Sequence, residues 1–130
     1  MLSTAAIPLQ VSLADDGQIV RLMLRGELDI ASADTLEREL LSAEARRPPV
    51  LVLDLEQLEF MGVSGLRAIL DAARRARRDR RKFVVANPVP QIMRLFELTA
   101  IDQSLDLQRS PLFALAGGAG AGAQPPPAGA

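Results

Sequence analysis

The spacing of apolar positions changes along the chain, and the changes separate strand-like from helix-like segments. Residues 9–13 alternate between apolar and polar, and residues 19–24 form a largely apolar run. The turn-forming residues Asp15, Asp16 and Gly17 lie between the two. This arrangement predicts an antiparallel hairpin at the start of the domain.

A helical period follows the hairpin. Residues 26–30 lead into Ser32, a residue type that favours the N-cap position of a helix. One face of the predicted helix is apolar, and Pro48-Pro49 ends it. That face consists of Ala33, Leu36, Leu40 and Leu41.

The second half of the chain alternates buried strands with helices. Residues 50–55 are apolar apart from Asp54, and residues 83–86 are apolar throughout, which is typical of strands covered on both sides. Asn87-Pro88 predicts the start of the last helix, and residues 105–107 predict a final short strand. The apolar stripes of the two helices are Leu66, Ile69, Leu70 and Ala73, and then Ile92, Leu95, Phe96 and Leu98.

A hairpin followed by this alternation predicts a single α/β domain. We expect a mixed, mostly parallel sheet of about five strands, packed with three to four helices. The domain should cover residues 7–116 after a leader at 1–6, with Leu112, Phe113 and Leu115 forming one helical turn. Residues 117–130 contain only Gly, Ala, Pro and one Gln, which predicts a disordered tail.

Composition excludes several chemistries. The chain has no Cys and no His, so thiolate catalysis, disulfides and the commonest general base and metal ligand are all absent. It has no Trp or Tyr and a formal net charge of -1, which argues against direct binding of nucleic acid. We therefore expect a binding protein, not an enzyme, with neither cofactor nor metal.

The same sequence lacks the marks of export or membrane insertion. The first residues have no basic region followed by a sustained apolar run, and no stretch of 18 apolar residues occurs. We expect a cytoplasmic protein that is a monomer when free.

The most informative segment is the turn at residues 60–66, which joins a predicted strand to a helix and contains Ser64. Three interpretations compete. Ser64 could cap the helix, act as a nucleophile, or carry or bind a phosphate at the positive end of the helix dipole. The nucleophile is disfavoured because the hydrolase pattern needs a second glycine at the position of Leu66, and because no histidine base exists.

Three segments resemble the STAS domain family, which includes anti-sigma factor antagonists and parts of sulfate transporters. They are Gly26-Glu27-Leu28-Asp29, residues 53–60 leading to Ser64-Gly65-Leu66, and residues 95–102. The resemblance spans roughly residues 7 to 116.

The resemblance implies a partner-switching protein. Such an antagonist binds an anti-sigma factor that is also a serine kinase and thereby releases a sigma factor. The kinase phosphorylates a serine that matches Ser64, and a serine phosphatase reverses the reaction. The partner-binding residues implied are Asp29, Ser32, Asp54, Gly62, Val63, Ser64, Gly65, Leu66 and Arg67.

The chain departs from the family pattern at three positions. Gly62 and Val63 replace Asp and Ser ahead of the matched serine, which lowers the local charge and loosens the turn. Ala100 replaces a glycine suited to a left-handed helix cap, which we expect to reduce stability.

Two further functions remain open from the sequence. The chain could be a regulatory STAS subunit of a membrane transport complex of the lipid ABC type, acting without phosphorylation. It could also bind a small ligand or nucleotide at the helix N-terminus. The arginine-rich run at residues 74–82 is either a solvated helix end or a contact for an acidic partner.

Overall fold

Residues 7–109 are described by a computed structural model of the protein. Five strands and three helices alternate along them, with one turn of 3-10 helix at Ile101–Ser104. The strands are β1 (Gln10–Asp15), β2 (Ile19–Leu28), β3 (Val50–Met61), β4 (Lys82–Ala86) and β5 (Asp106–Gln108). The helices are α1 (Ala33–Glu44), α2 (Val63–Arg78) and α3 (Pro90–Leu98).

The strands form one sheet in the order β1-β2-β3-β4-β5. β1 pairs with β2 in antiparallel fashion, and the other neighbours are parallel. Both the predicted hairpin and the mostly parallel sheet are confirmed. Parallel strands place their carboxyl ends at one edge of the sheet and their amino ends at the other. The β-to-α turns therefore share one edge.

The apolar core lies on the face of the sheet that the helices cover. Strand residues such as Leu22 and Leu53 contribute to it, and they are fully buried with Leu40, Ile69 and Phe96 from the three helices. The alternation of strand side chains explains this, since every second residue points to the same face. A small second cluster lies on the opposite face and consists of Val52, Val84 and Ala86.

Five of the predicted core positions are not fully buried, and Ala33 and Leu95 are half-buried among them. Leu41 is 45% exposed and Leu98 is 78% exposed, while Leu70 is only half-buried. In α1 the buried face is formed by Leu36, Leu40 and Ala43, whose spacing of four and three keeps one side. Leu41 follows Leu40 by about 100° around the helix, so it turns toward solvent.

The predicted cap residue is present at the start of α1, whereas α3 starts later than predicted. Ser32 occupies the N-cap of α1, but its hydroxyl makes no capping hydrogen bond. α3 begins at Pro90 with Val89 as N-cap, not at Asn87-Pro88. Asn87 adopts a left-handed backbone with φ 55°, and its N–H donates to the Gln108 carbonyl at 2.8 Å, which extends the β4–β5 pairing.

The left-handed cap anticipated at Ala100 is present. Ala100 follows α3 with φ 60° and ψ 16°, and its N–H donates to the Glu97 carbonyl at 3.1 Å. A side chain in this region clashes with its own carbonyl, so glycine would suit the position better.

The predicted leader, the tail and the turn at Leu112–Leu115 lie outside the described residues. Within 7–109, every helix falls short of the length and apolar character that crossing a membrane requires.

Candidate functional site

The turn that carries Ser64 lies where two parallel strands end. β3 ends at Met61 and α2 begins at Val63, with Gly62 as the N-cap between them. The Gly62 N–H donates to the Leu28 carbonyl, the last residue of β2, at 2.8 Å. This hydrogen bond fixes the β3–α2 turn beside the β2–α1 turn, so the two turns form one surface.

Ser64 is the second residue of α2 and does not cap it. The N-cap is Gly62, and it makes no side-chain capping bond. Ser64 is half-buried, and across residues 7–109 no hydrogen bond occupies its hydroxyl. The capping interpretation is therefore wrong, and the hydroxyl is available for modification or contact.

The dipole of α2 favours negative charge at Ser64, against the acidic side chains of Asp34 and Asp71 that line the same groove. The first turn contains no acidic residue, whereas Arg75, Arg77 and Arg78 lie in the last turn. The first amides of a helix carry the positive end of its dipole, and Gly62 has no side chain to accept from them. A phosphate on Ser64 would lie close to those amides.

The neighbours Gly65 and Leu66 position this turn and do not reach the surface. Both are buried, Leu66 in the core and Gly65 against Leu28 and Met61. They were expected among the partner-binding residues, and both are buried in the free domain. Their role is to hold the start of α2 against the ends of β2 and β3.

A mutual hydrogen-bond pair closes the neighbouring β2–α1 turn. The Ser32 hydroxyl accepts from the Asp29 N–H at 3.0 Å and donates to the Glu27 carbonyl at 3.2 Å. The Asp29 carboxylate accepts from the N–H groups of Ala31 at 3.0 Å and Ser32 at 3.2 Å. Asp29 and Ser32 therefore shape the turn that borders Ser64.

Two exposed apolar side chains flank Ser64, and sequence analysis missed one of them. Ile30 is 82% exposed at the tip of the β2–α1 turn, and Val63 is 71% exposed beside Ser64. Both line a groove of about 410 Å³ between α1 and α2, together with Ser64 and the exposed Arg67. The sequence does contain one indication that Ile30 is exposed. It lies within a polar turn, where burial of a side chain is not expected.

The family model for the STAS domain matches residues 10–114 of this chain. The chain belongs to the STAS domain family. A STAS domain from Bordetella bronchiseptica, BtrV, bears the name of an anti-sigma factor antagonist. It is 30% identical over 84 residues, which cover 65% of this chain and 72% of BtrV.

Two mycobacterial proteins are also similar to this STAS domain. The anti-sigma-F factor antagonist RsfB of Mycobacterium tuberculosis is 36% identical over 59 residues, 45% of this chain and 48% of RsfB. The crystal structure of an anti-sigma factor antagonist from Mycobacterium paratuberculosis superimposes with a TM-score of 0.72 at 25% identity. That superposition covers 85% of this chain and 93% of the other.

Asp54 lies apart from the surface around Ser64 in this STAS domain. It is 8% exposed, on the face of the sheet away from the helices, and its Oδ1 accepts from the Glu56 N–H at 3.0 Å. It lies seven positions before Met61 in β3, or about 23 Å along a strand. The structure therefore does not bring Asp54 together with the other expected partner-binding residues.

Gly62 is not required for the backbone of its turn. Its φ of -96° and ψ of -178° are open to any residue. A Cβ there would meet Phe60 Cε2 at 3.7 Å and the Leu28 carbonyl at 3.9 Å, which are ordinary contacts. An aspartate, as in the family pattern, would fit this position.

Proposed function

We propose that this STAS domain is an anti-sigma factor antagonist. It binds an anti-sigma factor of the serine-kinase type in the cytoplasm and so releases a sigma factor. Membership of the STAS family and the names of the BtrV and RsfB relatives support this role. These relatives are named as regulators and not as enzymes.

The observation that carries the proposal is the surface around Ser64. A half-buried serine with a free hydroxyl lies between the exposed side chains of Ile30 and Val63. Exposed apolar side chains beside a groove are typical of a protein contact. Ile30, Val63 and Arg67 reach the partner directly, while Asp29, Ser32, Gly62, Gly65 and Leu66 hold the turns that present them.

Phosphorylation of Ser64 is the switch that we propose for this surface. A phosphate adds about -1.5 to -2 charges and three acceptor oxygens. In the free domain, the amides at the start of α2 stabilise that charge. In a complex, the same group would need to be desolvated between Ile30, Val63 and the partner, so affinity falls about tenfold for every 1.4 kcal/mol.

Gly62 and Val63 determine which contacts a kinase would make with this turn. Val63 adds an apolar contact where the family pattern has a serine, and Gly62 removes an acidic group. We propose that the cognate kinase contacts Val63 through an apolar side chain. A serine phosphatase would restore the binding form.

The test is a pull-down with the full chain, followed by mass spectrometry of Ser64. We expect an anti-sigma factor with kinase activity to co-purify, and phosphoserine to appear at Ser64 when ATP is added. Ser64→Asp should weaken binding at least tenfold, and Ser64→Ala should keep it. Ser42→Asp, on the exposed side of α1, adds the same charge away from the surface and should bind normally.

Two results would overturn parts of the proposal. Equal binding by Ser64→Asp and Ser64→Ala would refute the switch while leaving the antagonist role intact. Co-purification of a permease or transport ATPase with unmodified Ser64 would instead identify a subunit of a transport complex.

A further inference from the structure

A second candidate site lies at the edge of the sheet opposite Ser64, where the parallel strands begin. The segment between α1 and β3 and the segment between α2 and β4 face each other there. They enclose a cleft of about 680 Å³, whose wall includes Arg47, Arg80 and Arg81. Small-molecule sites in proteins typically occupy about 300–1,000 Å³, so the cleft is large enough for a ligand.

Arg81 supplies the observation that points to a ligand. Its side chain is only 8% exposed, and among residues 7–109 its Nε and Nη2 have no hydrogen-bond acceptor. Nη2 lies 3.7 Å from Glu44 Oε1, and Nη1 lies 3.7 Å from Asp79 Oδ2, distances too long for hydrogen bonds. A buried guanidinium without acceptors is costly, so an acceptor is needed from outside these residues.

Glu44 does not serve as the acceptor for Arg81, because Arg75 already binds both oxygens of the Glu44 carboxylate. Arg75 Nε lies 2.7 Å from Glu44 Oε1, and Arg75 Nη2 lies 2.9 Å from Glu44 Oε2. This bidentate pair neutralises the carboxylate within the cleft wall. Arg81 is therefore left with only distant ion pairs.

Arg47 and Arg80 add two further cations at the mouth of the cleft. Both are exposed, and within 7–109 neither takes part in an ion pair. Both adopt left-handed backbone conformations, with φ 54° and 58°, which residues other than glycine rarely do. Ala100 shares that conformation, so the backbone alone does not indicate a ligand; the unsatisfied guanidinium of Arg81 does.

The charges that line the cleft favour an anion as its ligand. Three arginines line the cleft against Glu44 and Asp79, and Glu44 is neutralised by Arg75. The carboxyl ends of α1 and α2 oppose this positive charge only in part, because a helix end carries about half an elementary charge. Arginine forks match the oxygens of a phosphate group in pairs.

We propose that this cleft binds a small anion that carries phosphate groups, with Arg47 and Arg80 contacting its oxygens. Because the Nε and Nη2 of Arg81 are buried, the guanidinium would have to turn toward the cleft to reach the same oxygens and gain the acceptor that it lacks. The site is separate from Ser64, and its failure would leave the proposed function untouched.

Titration calorimetry on the full chain tests the site with inorganic phosphate, pyrophosphate, tripolyphosphate and ATP. We expect pyrophosphate and tripolyphosphate to bind, and Arg47→Gln and Arg80→Gln each to weaken pyrophosphate about tenfold. Arg74→Gln removes one charge from the outer side of α2, where Arg74 pairs with Asp71, and should bind normally. Tighter binding of ATP than of tripolyphosphate would identify a nucleotide as the ligand class.

Three results would overturn the proposal. One is absence of binding by all four anions at millimolar concentration. Another is equal weakening by Arg74→Gln, which would show only a diffuse charge effect. The third is binding of a short DNA duplex without binding of pyrophosphate, which would assign the arginines to nucleic acid. If Arg81→Gln folds, as circular dichroism would show, it should also lose pyrophosphate binding.

Discussion

Gly65 of α2 lies against Leu28 of β2 with no room for a side chain. A Cβ on Gly65 would come within 2.5 Å of Leu28 Cδ2 and within 3.1 Å of Met61 Cγ. The start of α2 can therefore approach the ends of β2 and β3 only because residue 65 is glycine. The position of Ser64, one residue earlier, depends on this contact.

Gly65→Ala should lower the free energy of unfolding by about 1–2 kcal/mol. Overpacking a buried contact costs about 1–3 kcal/mol, and the better helix propensity of alanine returns part of that. Urea denaturation followed by circular dichroism measures the change. Gly62→Ser is the matched control and should not lower stability, since a Cβ there makes only ordinary contacts and serine is a preferred N-cap residue. Similar losses in the two variants would contradict the proposed close contact.

Glu44 should matter more to stability than Glu37, although both pair with Arg75 across α1 and α2. The Glu44 carboxylate chiefly holds the pKa of Arg75 above its ordinary value, and it also lies beside the buried Arg81. Glu44→Gln removes the bidentate partner of Arg75 and one of the two carboxylates near Arg81, so we expect a loss of about 2 kcal/mol. Glu37 is more exposed, so Glu37→Gln should cost less than about 1 kcal/mol.

Thermal unfolding of the two variants at pH 7 checks this difference. If Glu37→Gln lowered stability as much as Glu44→Gln, the position of Glu44 between two arginines would add nothing to its contribution to stability.

The β1–β2 turn should make stability depend on pH in the acid range. The Gly17 amide, and then Arg46, lower the pKa of Asp15, while the amides of Ile19 and Gln18 lower that of Asp16. A carboxyl whose pKa is lower in the folded state stabilises the fold when it is ionised. The stabilisation is therefore complete above the unfolded-state pKa of 3.8. It is lost as the pH falls through the lowered pKa values of the folded state.

Asp16→Asn should reduce this acid dependence, so its urea midpoint should fall less than that of the parent protein as the pH is lowered from neutral into the acid range. An acid limb that is the same in Asp16→Asn and the parent protein would argue against a role for this turn.

The elements that the sequence predicted correctly are those in which apolar spacing reflects burial. Leu36 and Leu40 recur at helical spacing and lie in the core, and residues 51–55 are buried as expected for a central strand. Ala100 was also anticipated, because the resemblance placed a glycine there and the backbone is left-handed. In each case the spacing or type of residues within one segment determines the structure.

The features that were missed depend on tertiary context. β3 continues to Met61 although Glu56, Gln57 and Glu59 are exposed, because its second half still pairs with β2. The burial of Arg81 could not be expected from composition, since arginine is mostly exposed. The free hydroxyl of Ser64 follows from the helix beginning two residues earlier than a cap at Ser64 would need.

The parallel order of β2, β3 and β4 has an evolutionary consequence. Each crossover returns the chain to the opposite edge of the sheet, so Pro48 and Arg80 lie at the other edge from the turns at Asp29 and Ser64. After gene duplication, one copy could change the anion that it recognises while keeping its protein partner. The other copy could change its protein partner while keeping the anion. A family of paralogues could then pair different anions with different protein partners.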